Sequence, residues 1–257
     1  NVLLSNVVDN VQRYNYFDQI FRTGHGTDNA ISVAGGGENT QYYVSFGYLK
    51  NQGIIKGTDF TRYNLRARLD QRLTSWAKLS TGLTYSNSFA NEKANGNVFY
   101  SPMNSVTILN NIYDITKRDA SGNLMAVEGP RVNPLSTIED MRFTQTVNRT
   151  VSDMQLNLSP IKGLSIDYIL GVDTYAQVGQ NYIRPYPYLA QASLGANLYP
   201  QGYAATGNNS VFQLNTDLNI GYEYDLSENF KLNALAGYSY QFFRSDYSVA
   251  QGQNLSP

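Results

Sequence analysis

Alternation with a period of two dominates the stretch QYYVSFGYLKNQGIIKGTDFTRYNLRARLDQ, residues 41–71. In its first half, Tyr42, Val44, Phe46 and Tyr48 take every second position. In its second half large apolar residues alternate with a strongly polar set: Arg62, Asn64, Arg66, Arg68 and Asp70. Successive side chains of a strand point to opposite faces, so this pattern predicts two strands, each with one apolar and one polar face.

The same period returns along the chain and predicts eight strands in all. Besides the two strands within 41–71, they are expected at 28–35, 75–89, 146–159, 163–177, 210–226 and 229–247. Several of these segments exceed the five or six residues typical of strands in globular proteins.

The segments between the predicted strands fall into two length classes. Tight turns are expected at 35–39, 72–76, 159–163 and 225–229, whereas longer links lie at 52–58, 90–145 and 178–209. Short turns at one end and long loops at the other are typical of an outer-membrane β-barrel. We therefore predict an all-β, antiparallel transmembrane barrel with extracellular loops at about 90–145 and 178–209.

Composition narrows the classes of function. Charged residues make up 15% of the chain against about a quarter in soluble domains, and the net charge is -1, which gives no support for nucleic-acid binding. With no cysteine and one histidine, His25, the chain cannot build a thiolate site, a multi-histidine metal site or a typical histidine-centred catalytic site. No catalytic, metal or cofactor residue is predicted.

Topology predicts that residues 1–257 are part of a larger barrel domain. If the tight turns are periplasmic, both ends of an eight-stranded segment lie on the outer side, whereas a complete barrel of this kind has both termini in the periplasm. Eight strands alone would also leave two open edges in lipid, where unpaired backbone groups are not tolerated. Further strands are therefore expected before residue 28 and after residue 247.

Residues 17–86 resemble the barrel of SusC/RagA-type TonB-linked outer-membrane proteins of Bacteroidetes. The pieces that carry the resemblance are DQIFRTG, ISVAGG, GYLKNQGIIKG and the F-T-R-YNLR pattern followed by LD, and NPL at 133–135 also suits the family. The resemblance implies a plugged barrel of about 22 strands, of which this chain is a segment without plug or TonB box. It also implies TonB-driven uptake of oligosaccharides or peptides together with a SusD-like surface lipoprotein.

The polar faces of the strands supply the first set of candidate residues. They are expected to face the barrel lumen or its plug: Arg62, Arg66, Arg68, Asp70, Asp153, Asp167, Asp173, Asp217 and Glu223. Asp167 and Asp173 lie about 20 Å apart along one strand, too far for a glycosidase pair, so cross-strand pairing with basic side chains is expected instead. The apolar faces, with Tyr42, Phe46, Tyr63 and Leu65, are expected to contact lipid.

The long loops supply the second set. Contact with sugar, peptide or the lid lipoprotein is expected for Phe99, Tyr100, Tyr182, Arg184, Tyr186, Tyr188, Tyr199 and Tyr203. Packing of these loops on themselves is the alternative for the same residues. Pro and Ser ahead of acidic residues also predict a short helix near 134–141.

Three functions remain open from the sequence. The first is a TonB-dependent importer, which is not an enzyme. The second is a passive porin or structural barrel. The third is a soluble β-sandwich that binds carbohydrate, which would bury the tyrosine stripes under a second sheet.

Overall fold

A single antiparallel sheet of eight strands forms most of the computed structural model, which describes residues 11–190 and 200–255. The strands are β1 Gly26–Gly36, β2 Thr40–Gln52, β3 Asp59–Arg72, β4 Ala77–Glu92, β5 Met141–Leu158, β6 Leu164–Ile183, β7 Tyr203–Ser227 and β8 Phe230–Gln253. Each strand pairs with its neighbours in the sequence, in the order β1 to β8. Three short helices accompany the sheet: α1 Tyr16–Ile20, α2 Pro102–Ile108 and α3 Pro134–Asp140.

The eight predicted strands and the predicted fold class are confirmed. Short turns at 37–39, 73–76, 159–163 and 228–229 join the strands at one end of the sheet. The turn at 159–163 needs its glycine, because Gly163 has a φ of 82° and a Cβ there would lie 2.1 Å from a backbone oxygen of Glu223. No helix in the described part of the chain is long and apolar enough to cross a membrane.

Strand register gathers the apolar side chains on one face. Phe46 lies opposite Leu65, and Leu65 in turn lies opposite Tyr85. Directly opposed residues of an antiparallel pair share a face, so the apolar stripes of neighbouring strands merge into one continuous surface. This surface is open: Leu65, in the interior of the sheet, remains 45% exposed.

The open apolar face bears on the β-sandwich alternative. A sandwich would cover this face with a second sheet, but the described residues form one sheet only. An apolar surface of this extent marks a membrane or protein contact. We call this surface the apolar face and the opposite surface the polar face.

The predicted bounds of the long loops were wrong, because the strands continue further than the apolar alternation does. The connections span 93–140 and 184–202 instead of about 90–145 and 178–209. In the added lengths the alternation is interrupted by rows that are polar or small on both faces, since Thr144 pairs with Gln180 and Gln145 with Gly179. Beyond these rows, Met141 and Ile183 are buried against the connections. Backbone hydrogen bonds hold these strand extensions together. The extensions lack a regular alternation of apolar and polar residues, so a sequence-based prediction does not detect them.

The buried core lies at the end of the sheet that carries the long connections. One cluster joins α1 to the 93–140 connection through Tyr16, Ile20, Val106, Leu109, Ile115 and Val127. A second cluster joins the two long connections through Val132, Met141, Ile183 and Tyr188. The 93–140 connection and residues 184–190 are therefore packed structures rather than open loops.

Candidate functional site

All nine charged residues predicted for the polar side of the strands lie on the polar face. The register shows this directly: Arg68 is opposite Gly82, and Gly82 is opposite Asp153. The same reasoning along the other strand pairs brings together Arg62, Arg66, Arg68, Asp70, Asp153, Asp167, Asp173, Asp217 and Glu223. The sequence pattern therefore grouped these residues correctly on one face of the sheet, and their contact with a lumen or plug stays a prediction.

Asp173 is paired across the strands, as expected, and among the six acidic residues of this set only Asp70 also forms an ion pair in the described part of the chain. The Arg149 guanidinium donates two hydrogen bonds to the Asp173 carboxylate, at 2.9 and 2.5 Å. Two parallel bonds of this kind fix geometry as well as charge. Asp167 instead accepts a hydrogen bond from the Asn157 amide on the neighbouring strand.

Basic residues of β3 differ in their pairing. Arg68 Nε lies 3.5 Å from Asp70 Oδ2, and Lys78 Nζ lies 3.9 Å from Asp70 Oδ1. Arg62 and Arg66 are exposed, and within residues 11–190 and 200–255 neither forms an ion pair. Their guanidinium groups therefore extend from the polar face without a carboxylate partner in the described sheet.

Asn133 organises the 93–140 connection from a fully buried position. Its side-chain oxygen accepts a hydrogen bond from Leu135 N at 3.0 Å and so caps α3. Its amide nitrogen donates to the carbonyl oxygens of Ile115, at 2.8 Å, and Met125, at 3.0 Å. The predicted short helix near 134–141 is confirmed as α3, and the NPL motif at 133–135 forms its beginning.

Arg184 joins the two long connections through a polar network. Its Nη2 lies 3.0 Å from Asp140 Oδ1, and its Nη1 donates to Asn123 Oδ1 at 2.9 Å. The guanidinium carbon lies 5.2 Å from the centre of the Tyr186 ring. The Tyr186 hydroxyl in turn donates to Asp119 Oδ2 at 3.4 Å, so the segment after β6 is fixed to residues 119–140 at several points.

Burial raises the pKa of two groups of this network, whereas hydrogen bonds lower the pKa of a third. Burial raises the pKa of Asp140, although the charge of Arg184 opposes the shift. Hydrogen bonds from the Asn123 side chain and backbone lower the pKa of Asp119. Burial, followed by the charge of Asp140, raises the pKa of Tyr188, whose hydroxyl stays neutral at physiological pH.

The loop candidates fall into three groups. Tyr182 and Tyr203 were placed in loops, but they belong to β6 and β7, because those strands extend past their apolar stretches. Tyr188 is only 2% exposed, and Arg184 and Tyr186 are engaged in the network just described. For Tyr188 and Arg184 the structure thus matches the alternative of loop self-packing.

The remaining candidates also make internal contacts. The Arg131 guanidinium lies 4.7 Å from the centre of the Phe99 ring. The rings of Tyr100 and Phe143 stack with their centres 5.9 Å apart. Tyr199 lies outside the described residues.

Sequence reasoning missed the partners of Arg184. Asp140 and Asn123 lie far from it along the chain, and no local pattern connects them to residue 184. Asp140 is the last residue of α3, and an acidic residue at a helix end gives no sequence signal for a distant partner. Only the packing of the two connections reveals the network.

The fold and its two faces define a class of protein: a transmembrane β-barrel wall with one apolar and one polar face. No family model matches the chain. The TonB-dependent receptor P26 of Formosa agariphila is 28% identical over 218 residues, which cover 82% of this chain and 20% of that protein. The TonB-dependent receptor SusC of Bacteroides thetaiotaomicron is 44% identical over 52 residues, which cover 20% of this chain and 5% of that protein.

Solved structures show the same fold. The RagAB peptide importer in an open-open state matches with a TM-score of 0.75 at 21% identity, covering 95% of this chain and 27% of that chain. The structure of the RagAB peptide transporter matches with a TM-score of 0.74 at 20% identity over the same share. The resemblance seen in the sequence is thereby confirmed: the chain is similar to a barrel segment of SusC/RagA-type TonB-dependent receptors. It spans about a fifth of the length of the curated relative P26.

Proposed function

We propose that this chain forms part of the wall of an outer-membrane importer that is driven through TonB. The carrying observation is the division of β2, β3 and β4 into an open apolar face and a charged polar face, with the ion pair Arg244–Asp246 of β8 as an exception on the apolar side. The apolar face contacts lipid, and the polar face lines a water-filled interior. The names of the relatives, TonB-dependent receptors rather than enzymes, support the same class of activity.

Oligosaccharides or peptides are the proposed cargo. The name of the RagAB peptide importer, a structural neighbour, supports peptides, and the sequence resemblance to the SusC/RagA type adds oligosaccharides to the proposed range. The proposal includes a SusD-like lipoprotein that covers the outer end, where the connections 93–140 and 184–202 lie. A plug and a TonB-contacting segment of the same protein are proposed to lie outside residues 1–257, since wall strands and their connections account for the described residues.

Part of the proposal assigns roles to individual residues. Arg62 and Arg66, which lack ion-pair partners in the described sheet, contact the plug or passing cargo. Asp153, Asp217 and Glu223 line the same interior. Phe99, Tyr100, Tyr182 and Tyr203 contact cargo or the lid at the outer end, whereas Arg184, Tyr186 and Tyr188 support them from within the packed connections.

Energy-dependent uptake tests this function. Cells that carry the intact gene are compared with a deletion strain for uptake of labelled oligosaccharides and peptides, with and without a protonophore. We expect uptake of a cargo to require both the gene and the proton gradient. Gene-dependent uptake that persists without the proton gradient would instead support the passive porin. Absence of the protein from outer-membrane fractions would exclude both the importer and the porin.

A further inference from the structure

We propose that Asn95 is a site of spontaneous chemical modification, at which the asparagine converts to aspartate and isoaspartate through a cyclic imide formed with Gly96. Asn95 is the one asparagine of the chain that directly precedes a glycine. The inference goes beyond the proposed function and does not depend on it, because it rests on the local geometry at the start of the 93–140 connection.

The reaction needs only the chain itself, water and hydroxide. The backbone nitrogen of Gly96 loses its proton to hydroxide and attacks Cγ of Asn95. The bond from Cγ to the side-chain nitrogen then breaks, and this nitrogen leaves as ammonia with a proton from water. Water next opens the five-membered imide at either of its carbonyl carbons, which gives aspartate or isoaspartate. The product carries one more negative charge than the asparagine did.

The structure places the two reacting groups side by side. Gly96 N donates a hydrogen bond to Asn95 Oδ1 at 2.7 Å, so the nucleophilic nitrogen already lies against the side-chain amide that it attacks. Gly96 has a φ of 75° and carries no Cβ that could shield the amide carbon. Both residues are exposed, so water and hydroxide reach them from the solvent.

Two neighbouring asparagines show what distinguishes this pair. Asn97 precedes Val98, whose side chain is branched at Cβ and whose backbone N–H donates to Gly96 O at 3.0 Å. Asn104 precedes Ser105, whose backbone N–H is bonded at 2.9 Å to the carbonyl oxygen four residues earlier, at the start of α2. In both cases the nitrogen that would have to attack is bonded to a backbone carbonyl and not directed at the asparagine side chain.

Conversion changes both the charge and the length of the chain close to Arg131. Arg131 Nη2 donates to Asn97 Oδ1 at 3.2 Å, so the new carboxylate forms two residues from a side chain that this guanidinium contacts. Isoaspartate also inserts a methylene group into the backbone before Gly96, which disturbs the hydrogen bond from Val98 N to Gly96 O. The modification therefore loosens residues 95–98 with time and without an enzyme.

Ageing of the intact protein tests the site. The protein in detergent is kept at neutral and at mildly alkaline pH, and mass spectrometry of peptides that contain residues 95–97 measures aspartate and isoaspartate at each position. We expect conversion at Asn95 to be at least about tenfold faster than at Asn97, and faster still at alkaline pH. Asn95→Gln is the matched variant, because its attack would close a six-membered ring and should be at least about tenfold slower.

The same protein held unfolded in denaturant separates the effect of the fold from that of the sequence alone. Conversion at Asn95 that is at least as fast in the folded as in the unfolded protein supports the site. Faster hydrogen exchange at Val98 in aged protein than in the aged Asn95→Gln variant supports the loosening. Slower conversion in the folded protein, equal conversion at Asn97, or unchanged exchange at Val98 overturns the inference. None of these results depends on uptake of a cargo.

Discussion

Arg184 Nη2 and Asp140 Oδ1 lie 3.0 Å apart and join the two long connections of the barrel segment. The Asp140 side chain is the more deeply buried partner. Removing Arg184 therefore leaves a partly buried carboxylate without its main compensating charge, which is costlier than the loss of an exposed pair. The pair is thus expected to control how firmly the 184–202 connection is held.

We expect Arg184→Ala to lower the local stability of residues 184–190 by about 1–3 kcal/mol. Hydrogen exchange of the intact protein measures this as faster exchange in that segment. Glu139→Gln is the matched control, because the neighbouring Glu139–Arg118 pair is exposed and such pairs contribute about 0–1 kcal/mol. Equal effects of the two substitutions would contradict the assigned role of Arg184.

Protonation of Asp140 gives a second prediction. Because burial raises the pKa of Asp140 in the folded protein, folding favours the neutral carboxyl group. The stability that Asp140 contributes in this way is complete below the unfolded-state pKa of about 3.9, and it is lost as pH rises through the folded-state pKa. Asp140→Asn should therefore match the wild type near pH 4 and exceed it in hydrogen-exchange protection of α3 at neutral pH. If the wild type instead gains protection relative to the variant as pH rises, the ion pair outweighs burial.

Asn133 supplies a third prediction. Asn133→Ala removes the cap of α3 and two further bonds to buried carbonyls, so we expect a local loss of about 2–4 kcal/mol. Limited proteolysis of the 93–140 connection would reveal this as faster cleavage. Asn104→Ala is the control, since the Asn104 amide makes only exposed contacts; similar cleavage of both variants would show that Asn133 has no special role.

The two faces of β3 give a fourth prediction. Leu65→Arg places a cation on the apolar face and should cost about 2–4 kcal/mol near the middle of the bilayer, which impairs assembly. Arg66→Ala changes only the polar face and should assemble normally. Heat-modifiable gel mobility compares the two, and normal assembly of Leu65→Arg would mean that this position does not contact lipid.

Much of the fold could be predicted because the wall strands encode it locally. In β3 the alternation of Tyr63, Leu65 and Leu69 with arginines gives both the strand and its facing. Pro134 and Ser136 ahead of the acidic residues Glu139 and Asp140 likewise predict α3. Each of these signals lies within a few residues of the structure that it predicts.

The rest depended on contacts between distant residues. The early start of β7 at Tyr203 is set by pairing with Ile183, not by apolar residues of its own. The burial of Tyr188 and the ion pair of Arg184 with Asp140 arise when the two connections pack together. Neither feature produces a periodic pattern in the sequence. Aromatic residues of the connections thus resembled surface contacts in the sequence, although Tyr188 is buried.

Cysteine labelling of β3 in intact outer membranes most directly tests the central claim, that this sheet separates lipid from a water-filled interior. The chain contains no cysteine, so the parent protein gives no labelling of its own. Labelling can therefore be measured at single cysteine substitutions of Asn64, Leu65, Arg66 and Ala67. We predict that a small water-soluble maleimide labels positions 64 and 66, and that a lipid-phase reagent labels positions 65 and 67. The reverse pattern, or labelling without alternation, would contradict the assignment of the two faces and the importer built on it.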